Sequence, residues 1–307
     1  MEGVLLGFAT IAAVIAVGAL VAHLGLVDLS AQAVLARISF FVATPALLVT
    51  TVSEADVHDV LSRSLLATSV GAVVPAAVYL LAARRWRRTT GERVIGALSS
   101  SYVNVANLGL PIAAYVLGDA ALVAPTLLLQ LLVLQPAALL VLDADVAGRR
   151  PRVRELLRGP LTNPLTVGTL VGLLLALTGW RLPEVVAAPV ELIGAMAVPG
   201  VLLAYGISLR LGPGFGGDVP RGELALTSTL KLAVQPVVAW AVAHLLLGID
   251  GAALLAVVVC AALPTAQNVF VHATRYDRAT TLARDTILVT TLGAVPVIAL
   301  VVLLLGP

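Results

Sequence analysis

Hydrophobic and polar positions alternate along this chain on a long scale: apolar runs of about twenty residues are separated by short polar breaks. The runs lack the period-two alternation of a barrel strand, so they predict helices. In hydrocarbon only helices and closed barrels satisfy their own backbone groups. Hydropathy windows of about 19 residues place ten spans, near 4–26, 32–52, 63–83, 93–117, 120–142, 161–180, 187–209, 223–247, 251–274 and 279–305. The fold class expected is an all-α polytopic membrane protein. The first run, from Val4, has no basic stretch before it and leads straight into further spans, so it reads as a retained helix and not a cleaved signal.

Composition agrees. Hydrophobic residues make up 60% of the 307, charged residues 12%, and mean hydropathy is +1.04, values that exclude a water-soluble domain of this size. Eighteen of the 19 basic residues are arginine, and Lys231 is the single lysine. With the N-terminus outside, 16 arginines fall in inner loops; only Arg63 and Arg181 fall outside, beside Glu54, Asp56, Asp59, Asp119, Glu184 and Asp250. The positive-inside rule therefore predicts a multi-pass protein of the cytoplasmic (inner or plasma) membrane with both termini outside. The basic RRPRVRELLR stretch in the 143–160 linker reads as a topology determinant touching anionic headgroups, in preference to a nucleic-acid patch. The lone Cys260 is a small packing residue in an apolar run.

The chain also resembles itself. Pro75 and Pro236 lie 161 residues apart, as do Asn107 and Asn268, and Tyr115 and Tyr276; Pro45 and Pro199 lie 154 apart. Five spans per half, an odd number, set the halves in opposite orientations, the plan of many secondary transporters. The expected organisation is a first five-helix repeat over 1–142, a basic inner linker over 143–160, and an inverted second repeat over 161–307.

The most polar stretches at membrane depth are SSSYVNVANLGLP in span 4 and CAALPTAQNVFVHATRY in span 9. Pro111 and Pro264 each remove an amide donor and displace the carbonyl four residues back, those of Asn107 and Cys260. Non-helical backbone in lipid survives only where it is packed in protein or lines a wet cavity. Asn104 and Asn107 near one break, and Gln267 and Asn268 near the other, offer neutral donors and acceptors. Half-helix N-termini would add positive dipole ends, and the combination suits a carboxylate. Amides acting as interhelical glue, with prolines that merely kink, are the competing account.

Lys231, with Gln235 one turn on, stands well inside span 8, where an ammonium costs about 2.5–3.5 kcal/mol on insertion scales. Three roles are open to it: attracting or coupling to the anion, snorkelling to the inner surface, or countering Asp285. Asp285 adjoins Arg284, which favours a local ion pair. His272, one turn from Asn268, is a candidate titrating group or a packed donor. Gln130 and Gln135 read as interhelical hydrogen-bonding residues.

At NVANLGLP and PTAQNVFVHATRYDR, supported by the ten spans, the inverted halves and the central inner linker, the whole chain resembles the auxin efflux carrier family, which includes plant auxin exporters and bacterial permeases for malate, malonate and related acids. The resemblance implies that broken helices 4 and 9 cross near mid-membrane, with the substrate carboxylate at the crossing. Carried onto this chain, the crossing residues are Asn104, Asn107, Pro111, Pro264, Gln267 and Asn268. It also implies that spans 1, 2, 6 and 7 form a scaffold that often makes a homodimer, and that spans 3–5 and 8–10 carry the substrate in an elevator-like movement. The 18-residue linker is unlike the long loop of many plant carriers, and Lys231 matches no family motif, so auxin itself is not implied.

The reading is a secondary transporter of a small organic anion, without cofactor or metal. A sodium-coupled symporter of the bile-acid type and a membrane anion receptor are the alternatives; the first needs acidic or carbonyl ligands at the crossing, and no Asp or Glu stands there. No triad, nucleophile elbow, metal-ligand cluster or phosphate-binding glycine loop supports an enzyme.

Overall fold

The computed structural model describes residues 2–54, 63–109, 112, 120–148, 164–212 and 219–306. Its helices, in chain order, are α1 (Glu2–His23), α2 (Leu29–Ser53), α3 (Arg63–Trp86), α4 (Thr90–Ser101), α5 (120–146), α6 (Pro164–Thr178), α7 (Glu184–Leu211), α8 (Arg221–Leu246), α9 (Gly251–Ala262), α10 (Gln267–Tyr276) and α11 (Thr280–Leu305). A wide turn, Val105–Gly109, follows α4. There is no strand among the described residues. By length and composition α2, α3, α7, α8 and α11 can each cross a membrane. The chain is therefore an all-helical, multi-pass membrane protein. Most of the basic linker and Pro111 lie outside the described residues.

Local signals set the helix starts. The Asp28 carboxylate accepts from the Ser30 hydroxyl at 2.6 Å and the Ala31 amide at 3.0 Å, capping α2. The Ser30 bond holds that carboxyl below its ordinary pKa. Thr89 and Glu92 form a reciprocal capping box on α4.

Prolines shape the helix interiors in one repeated way. Proline cannot donate to the carbonyl four residues back and its ring pushes that carbonyl aside. In the turn before each of three prolines the helix widens, and the residue preceding proline donates to the carbonyl five back. Thr44 bonds Ser39 before Pro45, Gln135 bonds Gln130 before Pro136, and Gln235 bonds Leu230 before Pro236. Such bulges rotate one side chain off the regular helical stripe. In α5 and α8 that side chain is a glutamine.

The helices pack in two groups. In the first, α1 lies along α7, and α6 lies along α2. Close approach of backbones holds it: a β-carbon on Gly206 would overlap the Ile15 carbonyl, and one on Gly168 would come within 2.5 Å of the Pro45 carbonyl. This is the small-residue packing of helices in lipid, where apolar burial supplies no driving force. The second group joins α3, α4, α5, α8, α9 and α11, and polar networks tie it at the basic side. Buried Glu223 accepts from Tyr79 at 2.7 Å and from Arg88 Nη2 at 2.7 Å, and Arg88 also pairs with Glu92 at 3.0 Å. Tyr276 donates to Asp143 at 2.7 Å and Arg278 to Asp145 at 2.8 Å, which fastens the end of α10 to α5.

The two interrupted helices have equal length. Thr90 and Gly251 open them, Ser101 and Ala262 close them, and both pairs lie 161 residues apart. The first interruption begins well before Pro111. Ser100 and Ser101 turn their hydroxyls back to the carbonyls of Gly96 and Ala97, at 2.8 and 2.9 Å, which weakens the last turn. Tyr102 is already extended. At the second, proline acts as expected: Leu263, before Pro264, is driven to φ −57°, ψ 148°, and the helix stops.

Candidate functional site

The two extended stretches meet back to back. Val103 and Thr265 form an isolated antiparallel bridge. The Asn104 amide donates to the Pro264 carbonyl at 2.9 Å, and the Ala266 amide to the Tyr102 carbonyl at 3.0 Å. Each interruption thus supplies the backbone partners that the other lost, which removes the main cost of breaking a helix in lipid. Thr265 adds two further ties, its hydroxyl to the Ser99 carbonyl at 2.6 Å and its amide to Thr290 Oγ1 at 3.2 Å.

Beside the crossing lies a cavity of about 30 Å³, walled by Thr44, Tyr102, Asn104, Gln130, Val201 and Asn268 among others. That is room for one or two waters. A carboxylate therefore enters only when the flanking helices part. Asn104 and Gln130 are both 2% exposed, yet Asn104 Nδ2 and Gln130 Oε1 have no hydrogen-bond partner among the described residues. A buried amide left without a partner costs about 1–3 kcal/mol, so both atoms call for water or solute. No acidic or basic side chain is among the described lining residues. The start of α10 faces the same space through Ala266 and Asn268, and it carries no side-chain cap, so its positive dipole end is open to an anion.

Not every residue marked in the sequence joins this wall. Asn107 lies in the wide turn, and its side chain, like Pro111, lies outside the described residues. Pro264 is buried and acts through its carbonyl. Gln267 is buried at the first position of α10. His272 is buried one turn further, its ring edge-on to Phe40 at 5.8 Å. Asp285 is paired with Arg284 at 2.7 Å. Lys231 and Gln235 reach the crossing from behind, with Nζ on the Ala261 carbonyl at 2.8 Å and Nε2 on the Ser101 carbonyl at 2.9 Å. Of the roles open to Lys231, snorkelling and a bond to Asp285 are both corrected: the ammonium points into the protein, and Asp285 has its own arginine.

Tyr102, Thr265 and Phe40 were not singled out from the sequence. Tyr102 donates to Gln135 Oε1 at 3.0 Å, so the bulge ahead of Pro136 aims a glutamine at the first interruption as the bulge ahead of Pro236 aims one from the other side. A threonine directly after the helix-stopping proline was the available signal for Thr265. Phe40 carried none, because an aromatic in an apolar run looks like any lipid-facing or core residue.

A wider cleft of about 630 Å³ lies toward the basic side, lined by Arg37, Phe40, Phe41, Asp143, Thr274 and Arg275 among others. Phe40, in the wall of this cleft, meets the buried His272 edge-on. Polar interruptions that repair each other around an uncharged cavity, with a cleft lined by Arg37, Arg275, Asp143 and Asp277 nearby, are the anatomy of a solute pathway.

Comparison with known proteins agrees. Residues 7–143 and 149–302 match the family model described as "Membrane transport protein", which is the auxin efflux carrier family. The chain belongs to this family. A protein of Rhizobium meliloti (strain 1021) named "Putative malonate transporter" is 28% identical over 264 residues, covering 83% of this chain and 81% of that protein. As a membrane transport protein, the chain uses its helices to carry a solute past lipid, and the crossing of α4 with α9 and α10 is the candidate place to hold it.

Proposed function

We propose that the protein is a secondary transporter of a small carboxylate anion, bound where the two interrupted helices cross. The observation that carries this reading is the unpartnered buried amide donor Asn104 Nδ2, in a cavity that also receives the uncapped start of α10. Neutral donors and a helix dipole hold an anion without trapping it, which a carrier needs because it must also release. A fixed arginine in the wall would bind more tightly and release more slowly. The malonate named for the relative makes small dicarboxylates the first solutes to try.

The equal lengths and constant 161-residue offset of α4 and α9 support two five-helix repeats, 1–142 and 161–307, in ten spans; the odd number of spans per repeat inverts them, and the arginine distribution favours both termini outside. The glycine-packed group of α1, α2, α6 and α7 is the scaffold in this proposal, and the homodimer contact falls to it. The network-tied remainder moves as one body, and its displacement against the scaffold exposes the crossing alternately to the two sides. The small cavity fits this scheme, since solute access then requires relative movement of the two groups. The absence of Asp and Glu from the described cavity wall favours this reading over a sodium symporter of the bile-acid type. A sensor that binds the anion without moving it shares the same cavity and is separated by flux.

The test is purified full-length protein, screened for thermal stabilisation by malonate, malate, succinate and neutral analogues, then reconstituted in vesicles with labelled malonate. Selective stabilisation by a carboxylate and saturable flux are expected. Stabilisation by cations or neutral solutes alone, or binding without flux, rejects the proposal.

A further inference from the structure

Lys231 and Gln235 stand one turn apart on α8 and reach the ends of both interrupted helices. Lys231 is fully buried, and its Nζ donates to the carbonyl of Ala261, in the last turn of α9. Gln235 donates to the carbonyl of Ser101, the last residue of α4. Carbonyls of a final helical turn have no intrahelical partner and carry the negative end of the dipole. One end is thus served by a neutral amide and the other by the chain's single lysine. Lys231 has no ion pair among the described residues; what offsets its charge is the end of α9.

Beside these contacts lies a small space of about 10 Å³, close to the room one water needs. Thr68, Ser101, Thr126, Gln130, Gln235 and Ala261 line it. Three oxygens in this wall, Thr68 Oγ1, Gln130 Oε1 and Gln235 Oε1, are buried without a hydrogen-bond partner among the described residues. Hydroxyl, amide and helix-terminal carbonyl oxygens around a void of this size are the ligands that coordinate a monovalent cation at a broken membrane helix. Here the positive charge is already present on a side chain.

We propose that Lys231 is a tethered substitute for a coupling cation, which frees the protein from sodium, and that vacating it turns the adjacent oxygen-lined space into a sodium site. The coupling half of this inference rests on the transporter reading; the ion site does not. The geometry explains why the ammonium is tolerated: it replaces an ion that the carbonyl-rich end of α9 would otherwise require.

The experiment uses the full chain, wild type and Lys231→Ala, in sodium chloride and in choline chloride. Wild-type melting temperature and malonate flux should be the same in both salts. Lys231→Ala should melt several degrees higher in sodium, saturably, and its flux should be low in choline and restored severalfold by sodium. Should that variant fail to fold, Lys231→Gln keeps a donor for the Ala261 carbonyl without the charge, and the same sodium effects are expected. Wild-type flux that requires sodium, or variants that sodium neither stabilises nor reactivates while wild type transports normally, would overturn the inference and leave the transporter reading intact. Sodium stabilisation of Lys231→Ala with no flux in any protein would instead sink the transporter reading and keep the ion site.

Discussion

The two interruptions perform the same task with different chemistry. The first is made by serines that bond back onto their own helix and is capped by a neutral amide from Gln235. The second is made by Pro264 and is capped by the ammonium of Lys231. After the break the first continues into a wide turn, whereas the second resumes as the regular helix α10. Symmetry of position, with both helices offset by 161 residues, therefore does not extend to symmetry of charge. One interruption keeps a polar but neutral end, and the other carries a fixed cation, Lys231, the one such group at the crossing among the described residues.

The largest expected effect breaks the comparison at the substrate. Asn104 belongs to the first interruption and Asn268 to the second, and both face the cavity. Asn104→Ala and Asn268→Ala should each reduce malonate flux by about a hundredfold or more, the equivalent of roughly 2.7 kcal/mol. The melting temperature should stay within a few degrees of wild type. Equal losses would mean that both interruptions hold the solute. If neither variant loses flux, the crossing is a structural joint and the site lies elsewhere.

Next in size is the neutral cap. Gln235→Leu leaves the Ser101 carbonyl buried and unpaired, a cost of about 2 kcal/mol. Thermal unfolding should report it as a drop of several degrees. Partial recovery is expected in Gln235→Asn, because a shorter amide can still donate to the Ser101 carbonyl. No recovery would assign the residue to packing. A smaller loss, about 1 kcal/mol, is expected for Tyr102→Phe, which removes one bond to Gln135 but leaves the ring in place.

How much of this was legible in the sequence depends on what each residue answers to. Pro264 acts on its own neighbours, so the stop at Ala262 could be read directly. The first stop was expected at Pro111, yet α4 ends at Ser101, because hydroxyl back-bonding is a weak local bias that only the bridge to Thr265 makes decisive. The helical class and the apolar spans follow from hydropathy, since lipid admits so few backbone solutions. The target of Lys231 did not follow: periodicity places it deep in α8, but the carbonyl it meets lies 30 residues away, and only the fold brings the two together. Gln130 and Gln135 looked like interhelical glue. Gln135 does bond between elements, to Tyr102, whereas the Gln130 Oε1 is buried without a hydrogen-bond partner among the described residues.

The smallest effect concerns the far end of the second interruption. Arg275, near the end of α10, lays its guanidinium over Phe40 at 4.3 Å and Phe41 at 4.4 Å, both on α2. This joins the two helix groups across the wider cleft, and the first interruption has no such clasp among the described residues. Arg275 is exposed, so the contact contributes only about 0.5–1 kcal/mol. If the groups slide past each other during transport, the clasp must open on every cycle, and its energy adds to that barrier. Arg275→Gln should therefore speed malonate exchange between the two faces roughly two- to fivefold, the rate equivalent of that energy, with melting temperature and malonate affinity almost unchanged. Vesicle exchange measured at saturating malonate separates this from binding. An unaltered exchange rate would mean that the two groups do not part at Phe40 and Phe41, and the difference between the interruptions would then end at their caps.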